Sequence, residues 1–254
     1  GRYVVFNSTS TNLVVGDTNG HIDVFRRDLD ANTTIRVSVG AGGVQGSGGF
    51  GSFDPDISDD GRYAVFSSNE TSLAAGTDPN VRHIYVRDVI GGTTTLLTRQ
   101  PSSLPSAAGI AQDPSISADG AFVMFHSTMS DLVAGDGNGV EDVFRVARDG
   151  SDMRRVGLST AEGKSEGANT MINADGRYVV FSSDSSGLRQ AFRHDAGTST
   201  NVLISQSTAG ATGNGTSTDA VISADGKVIA FLSTSTNLAG TVTGGTNVYV
   251  RILP

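Results

Sequence analysis

Two segments hold the residues best suited to chemistry. Asp17-Thr18-Asn19-Gly20-His21-Ile22-Asp23 and Asp136-Gly137-Asn138-Gly139-Val140-Glu141-Asp142 share the form Asp-x-Asn-Gly-x-x-Asp. A hard cation such as Ca²⁺ takes several oxygen ligands from a tight loop in which glycine permits the turn. The spacing offers Asp17, Asn19 and Asp23, and equally Asp136, Asn138 and Asp142, as a Ca²⁺ ligand set. It lacks the distal bidentate glutamate that completes an EF-hand loop. The alternative is a turn whose Asp and Asn side chains bond their own backbone without metal. Elsewhere the corresponding segments read Thr77-Asp78-Pro79-Asn80 and Thr243-Gly244-Gly245-Thr246.

Other chemistries find less support. The histidines His21, His83, His126 and His194 fall in different registers and show no metal-ligand spacing. The chain has no Cys, which excludes disulfides, thiolate zinc sites and a cysteine nucleophile. Ser, His and Asp are available for a triad, but the pattern predicts no α/β domain to hold one. A glycosidase needs two opposed carboxylates. Asp54 and Asp113, each before a proline, and Asp219 stand where an axial channel would open, but they recur with a repeat, which favours a structural role. The absence of Trp removes a frequent platform for sugars.

The elements that would carry these residues are repetitive. Gly1-Arg2-Tyr3-Val4-Val5-Phe6 returns at Gly61–Phe66, Gly120–Phe125, Gly176–Phe181 and Gly226–Phe231. Periodicity of this length marks a solenoid or a propeller. Each copy reads as four short strands, A to D. Strand A is Pro55–Ser58 and its equivalents, and an Asp-Gly pair makes a two-residue hairpin into strand B, the Tyr-Val-Val-Phe run. Strand C is Ile22–Arg26, Ile84–Arg87, Val143–Arg145, Ala191–Arg193 and Val248–Arg251. Strand D is Thr34–Ser38, Thr94–Thr98, Arg154–Leu158 and Asn201–Ser205. Four strands per repeat predict an all-β fold, a five-bladed β-propeller of four-stranded antiparallel blades. A solenoid turn is usually shorter. The chain reads as one domain, residues 1–254, with repeats at about 1–53, 54–112, 113–168, 169–218 and 219–254.

The first repeat lacks strand A and the last lacks strand D, so the first and last blades are incomplete. Lost flanking residues account for this, and a neighbouring chain supplying strands is the alternative. No signal peptide is present at Gly1-Arg2, which lies inside a repeat. The Asp after strand C (Asp28, Asp88, Asp149, Asp195) and the strand-C arginines (Arg26, Arg87, Arg145, Arg193, Arg251) are expected to pair between blades.

The segments Ile-Ser-Ala-Asp-Gly-Arg-Tyr-Val-Val-Phe-Ser-Ser, Asn-Leu-Val-x-Gly-Asp-x-Asn-Gly and Asp-Val-Phe-x-Arg-Asp resemble the TolB-type, WD-like β-propeller repeat over essentially the whole chain. The resemblance implies the propeller fold. It leaves function open, since such repeats occur in periplasmic scaffolds, in secreted and cell-surface proteins, and in propellers attached to peptidases.

A net charge of −8 and dispersed arginines argue against a nucleic-acid partner. No apolar run is long enough for membrane insertion. Strand alternation puts the long B–C and D–A connections on one face, where binding usually resides. The expectation is a binding or scaffold propeller, periplasmic, at the cell surface or secreted, that engages a protein or an extracellular polymer without catalysis. It has no cofactor beyond the candidate Ca²⁺. The alternatives are self-association through the incomplete terminal blades into a surface layer or filament, and a propeller hydrolase acting on glycosides or lactones.

Overall fold

In the computed structural model of the chain, the Asp-Gly turn that leads into strand B is wider than a two-residue hairpin. The N–H of Ser58 donates to the Tyr63 carbonyl at 2.9 Å, and the Tyr63 N–H donates to Ser58 Oγ at 3.0 Å. Between them the Asp60 carboxylate accepts the Ser58 hydroxyl at 2.6 Å and the Arg62 N–H at 2.9 Å, and Gly61 takes a φ of 70°. Asp119 and Asp225 repeat these bonds. The aspartate side chain satisfies backbone that a tighter hairpin would pair directly.

The structure describes residues 1–47, 51–100, 108–136, 140–157, 170–184, 187–240, 242 and 244–254. Their strands form five antiparallel sheets in chain order. The first holds β1 (Tyr3–Ser8), β2 (Asp23–Asp28) and β3 (Thr33–Arg36). The second holds β4 (Ser52–Ile57), β5 (Tyr63–Ser68), β6 (His83–Asp88) and β7 (Thr93–Leu96). The third holds β8 (Ala111–Ile116), β9 (Phe122–Ser127), β10 (Asp142–Ala147) and β11 (Arg154–Val156). The fourth holds β12 (Met171–Ile172), β13 (Tyr178–Asp184), β14 (Arg189–Asp195) and β15 (Thr200–Leu203). The fifth holds β16 (Ser217–Ile222), β17 (Val228–Ser233) and β18 (Asn247–Ile252). Among the described residues the first sheet has no strand before β1 and the last none after β18, as the repeat count predicts. The innermost strands β4 and β8 begin upstream of Pro55 and Pro114, because a bulge accommodates each proline.

Because strand side chains alternate, each sheet has one face toward the preceding sheet and one toward the next. The second and fourth residues of the Tyr-Val-Val-Phe run face backward, and the first and third face forward. Four apolar cores result, one between each successive pair of sheets. Val5, Val24 and Val37 meet Ala64, Phe66 and Tyr85. Tyr63, Val65 and Ile84 meet Val123, Phe125 and Phe144. Met124 and Val143 meet Val179, Phe181 and Phe192. Val180 and Ala191 meet Ile229, Phe231 and Tyr249. Each backward face also carries a stacked aromatic pair, such as Phe125–Phe144 with centroids 5.6 Å apart.

A recurrent clamp fixes the spacing. The turn glycine of each later sheet lies against an aromatic ring of the sheet before it: Gly61 on Tyr3, Gly120 on Tyr63, Gly176 on Phe122 and Gly226 on Tyr178. An arginine covers the same ring and donates to the glycine carbonyl. Arg26 reaches Gly61 O at 2.5 Å, Arg145 reaches Gly176 O at 2.7 Å and Arg193 reaches Gly226 O at 2.9 Å, each stacked over its own sheet's ring. In the second sheet Val86 occupies the arginine position. There Arg148 of the third sheet sits 3.9 Å from the Tyr63 centroid and donates to Gly120 O at 2.7 Å.

These bonds correct the expected pairing of strand-C arginines with acids between blades. Arg87 lies one residue out of register and bonds Gly92 O and Thr94 in its own sheet, while Arg251 reaches the Gln206 carbonyl. The post-strand aspartates instead pair within a sheet, with the arginine that follows the turn glycine. Arg2–Asp28, Arg62–Asp88 and Arg177–Asp195 are each bidentate. Ala121 replaces that arginine in the third sheet, and Asp149 caps Ser151.

An added Cβ at Gly120 would lie 2.5 Å from the Tyr63 ring, whereas Gly92, at the same φ of 68°, faces open space. Gly120→Ala should therefore cost about 1–3 kcal/mol more than Gly92→Ala in urea denaturation, the usual range for forced overpacking. The arginine bonds hold the Asp88 and Asp195 carboxyls down at about 2. Folded pKa values below the unfolded one, near 4, mean that this stability is complete above that value and is lost as pH falls through about 2. The difference in Tm between wild type and Arg62→Gln should be constant near neutrality and should close on acidification.

Candidate functional site

The innermost strands meet one another in order, β4 to β8 to β12 to β16, and define an axis. At the short-turn end Ile57, Ile116, Ile172 and Ile222, one from each strand, line a cavity of about 240 Å³. The Asp56 carboxylate closes this end by accepting Ser115 Oγ at 3.0 Å and the Ile116 N–H at 2.9 Å. This end is thus cross-linked, and each isoleucine packs into a core between sheets.

The opposite end is acidic. Asp54, Asp113 and Asp219 occupy bulges of β4, β8 and β16 at φ of 51°, 49° and 53°. A left-handed backbone at a non-glycine residue costs on the order of 1 kcal/mol, and aspartate is among the residues that tolerate it. The bulge re-aims the side chain relative to the flat strand. Ser67 Oγ donates to Asp54 at 2.9 Å, Arg82 stands 4.0 Å from Asp54, and Thr218 Oγ1 donates to Asp219 at 2.9 Å. Burial, and after it the Asp54 carboxylate, push the Asp113 carboxyl above its ordinary range. The corresponding residue of the fourth repeat, Asn169, lies outside the described residues.

Each Asp-x-Asn-Gly loop is built around an arginine. Arg36 Nη1 lies 3.2 Å from Asp17 Oδ1 and 3.3 Å from Asp23 Oδ2, and both carboxylates are buried. Arg155 Nη1 lies 3.3 Å from Asp136 and 3.5 Å from Asp142. Asn19 accepts the His21 N–H at 3.0 Å and donates to Gly46 O at 3.2 Å, so it turns the loop. Gly137, Asn138 and Gly139 lie outside the described residues. Burial and the adjacent Asp142 carboxylate raise the Asp136 pKa, against the opposing effect of Arg155. Among the described residues no three His, Asp or Glu side chains are grouped as a metal site would need.

Sequence reasoning missed both arginines, although a signal was present. Arg36 and Arg155 share one strand-D register, opposite Phe25 and Phe144, where the second and fourth sheets carry Leu96 and Leu203. Arginine stands there in the two repeats that have an Asp-x-Asn-Gly loop. The histidines are dispersed: His21 bonds Glu70 at 2.6 Å, His83 bonds Thr98, His126 bonds Thr170 and His194 bonds Asn201. Burial lowers the His83 pKa to about 4 and also lowers that of His194. Gly163-Lys164-Ser165-Glu166-Gly167 has the spacing of a nucleophile elbow but lies outside the described residues. An elbow needs a strand-to-helix turn, and the described residues contain no α-helix.

Comparison with solved structures identifies the architecture. TolB from Acinetobacter baumannii superposes with a TM-score of 0.52 at 20% identity, over 91% of this chain and 48% of that one. A protein of Agrobacterium tumefaciens assigned as TolB gives 0.55 at 17% identity, over 100% and 87% of the two chains. The oligogalacturonate lyase of Vibrio parahaemolyticus gives 0.57 at 13% identity, over 99% and 59%. The fold is that of TolB-like β-propellers. This chain spans about half the length of Acinetobacter TolB. No family profile and no curated protein matches it. No helix among the described residues is long and apolar enough to cross a membrane.

Removing one arginine tests the loop chemistry. Arg36→Met leaves Asp17 and Asp23 buried without their cation and should cost about 3–5 kcal/mol, the usual penalty for breaking a buried pair from one side. Calcium should then raise the Tm of Arg36→Met in a thermal melt and leave that of wild type unchanged.

Proposed function

We propose that the chain is a five-bladed binding propeller that acts in the periplasm, at the cell surface or in the medium. It engages a protein or an extracellular polymer through its B–C and D–A connections and catalyses no reaction of its own. The observation that carries this reading is the acidic end of the innermost strands on that face, which we take as an axial mouth. Three aspartates are held at costly φ values by bulges at matching positions of three innermost strands. Backbone outliers of this kind cluster at binding sites. The net charge of −8 adds attraction for a cationic partner. The partner chemistry that fits is a segment bearing lysine or arginine side chains.

Asp113 favours a second reading. A carboxyl raised by burial beside a second carboxylate is the pairing used for acid catalysis on glycosides, and an oligogalacturonate lyase shares the fold.

Calorimetric titration with an oligolysine peptide separates the readings. Wild type should bind it with an affinity that falls as salt is added. Asp54→Asn, Asp113→Asn and Asp219→Asn combined should weaken binding at least about tenfold, or about 1.4 kcal/mol. Equal binding by the triple variant would remove the axial mouth from the interaction. Turnover of oligogalacturonate by wild type, lost in Asp113→Asn, would establish the enzyme instead.

A further inference from the structure

The clamp between the third and fourth sheets departs from the others in how its arginine is turned. Arg26 and Arg193 give Nη1 to the turn-glycine carbonyl and leave Nε buried without a partner. Arg145 gives Nε instead, at 2.7 Å from Gly176 O, with its guanidinium 3.6 Å from the Phe122 centroid. Both Nη groups are left over. Nη1 stands 3.7 Å from Asp152 Oδ2, beyond hydrogen-bond reach, and neither Nη donates to a described residue. The side chain is only 9% exposed. Buried N–H groups of a cation cost stability unless something accepts from them.

The residue across the strand pair sharpens the anomaly. Arg145 lies opposite Arg154 on β11, where Arg26 faces Ile35 and Arg193 faces Val202. Like charges directly opposite destabilise a sheet. Ile35 and Val202 show that the fold accepts an apolar residue at this position. A single carboxylate serves both cations, since Asp152 Oδ1 accepts Arg154 Nε at 2.6 Å.

These groups border a cavity of about 300 Å³ at the short-turn end. Arg145, Asp152 and Arg154 line it from the third sheet, and Asp175 and Arg177 from the fourth. Arg177 is committed to Asp195 at 2.9 and 2.8 Å, and Asp175 Oδ1 accepts the Arg177 N–H at 2.9 Å. The Nη groups of Arg145 and Arg154 remain as donors. Asp152 Oδ2 and Asp175 Oδ2 remain as acceptors, with no hydrogen bond from a described residue. Paired guanidinium N–H groups match the two oxygens of a carboxylate. The free aspartate oxygens call for hydroxyl donors and oppose a multiply charged anion.

We propose that this cavity binds a small hydroxy carboxylic acid. Its carboxylate rests on Arg145 and Arg154, and its hydroxyls donate to Asp152 and Asp175. The site lies on the face opposite the B–C and D–A connections and does not rest on the function proposed for them.

The Nε–H of Arg145 reports on the site, because it is buried and bonded to Gly176 O. Its NMR signal is the one missing from Arg145→Lys, or, if that variant does not fold, the one in contact with the Phe122 ring. Sodium gluconate should shift this signal saturably. Sodium chloride at the same ionic strength and sorbitol should leave it in place. Arg154→Gln, at a side chain 55% exposed, should melt like wild type and bind gluconate at least about tenfold more weakly. A signal that gluconate does not move overturns the proposal, as does an equal shift with chloride or sorbitol. Unchanged affinity in Arg154→Gln, or tighter binding of inorganic phosphate than of gluconate, does the same.

Discussion

The contact of a turn glycine with the aromatic ring of the preceding sheet sets the spacing of this molecule. It requires glycine twice over, for a left-handed φ and for room, since a Cβ would enter the ring. Arginine completes the contact by covering the ring's π face and donating to the glycine carbonyl. Three groups from two sheets thus lock each blade to the next, and the apolar cores fill in behind. The clamp tolerates exchange of its parts. Arg148 serves from the following sheet where Val86 stands in the usual place, because the ring and the carbonyl can be reached from either side.

That rigidity lets the innermost strands carry irregularities. Asp54, Asp113 and Asp219 interrupt their ladders, and Asp54 and Asp113 precede prolines that could not donate to a neighbour. A bulge in an isolated hairpin would shift register. Here the partner strands β5, β9 and β17 are held by their other neighbours, so the disturbance stays local. The bulged aspartates and the isoleucines Ile57, Ile116 and Ile222 stand toward opposite ends of the same strands.

Much of this was legible in the amino-acid order. The five copies, the strand count and the missing end strands rest on short-range signals, namely a Gly-x-aromatic start and a period-2 alternation. The two Asp-x-Asn-Gly loops were visible as chemistry, but their counter-charge was not. Arg36 lies 19 positions after Asp17, and Arg155 likewise 19 after Asp136, two strands further along the chain in each case. The strand-C arginines recur with nearby acids, a pattern that suggests ion pairs, but between sheets their acceptor is a backbone carbonyl that carries no mark in the sequence.

Residue order alone sets the phase of every strand and therefore which side chains face forward and which backward, because alternation is a local property of extended backbone. Tertiary structure decided which of those faces are covered. It also decided which cation reaches which carboxylate and that Asp113 stands near Asp54. These depend on how one sheet is rotated against the next. That rotation is set by contacts between residues some 60 positions apart, such as Tyr3 and Gly61, and no local pattern encodes it.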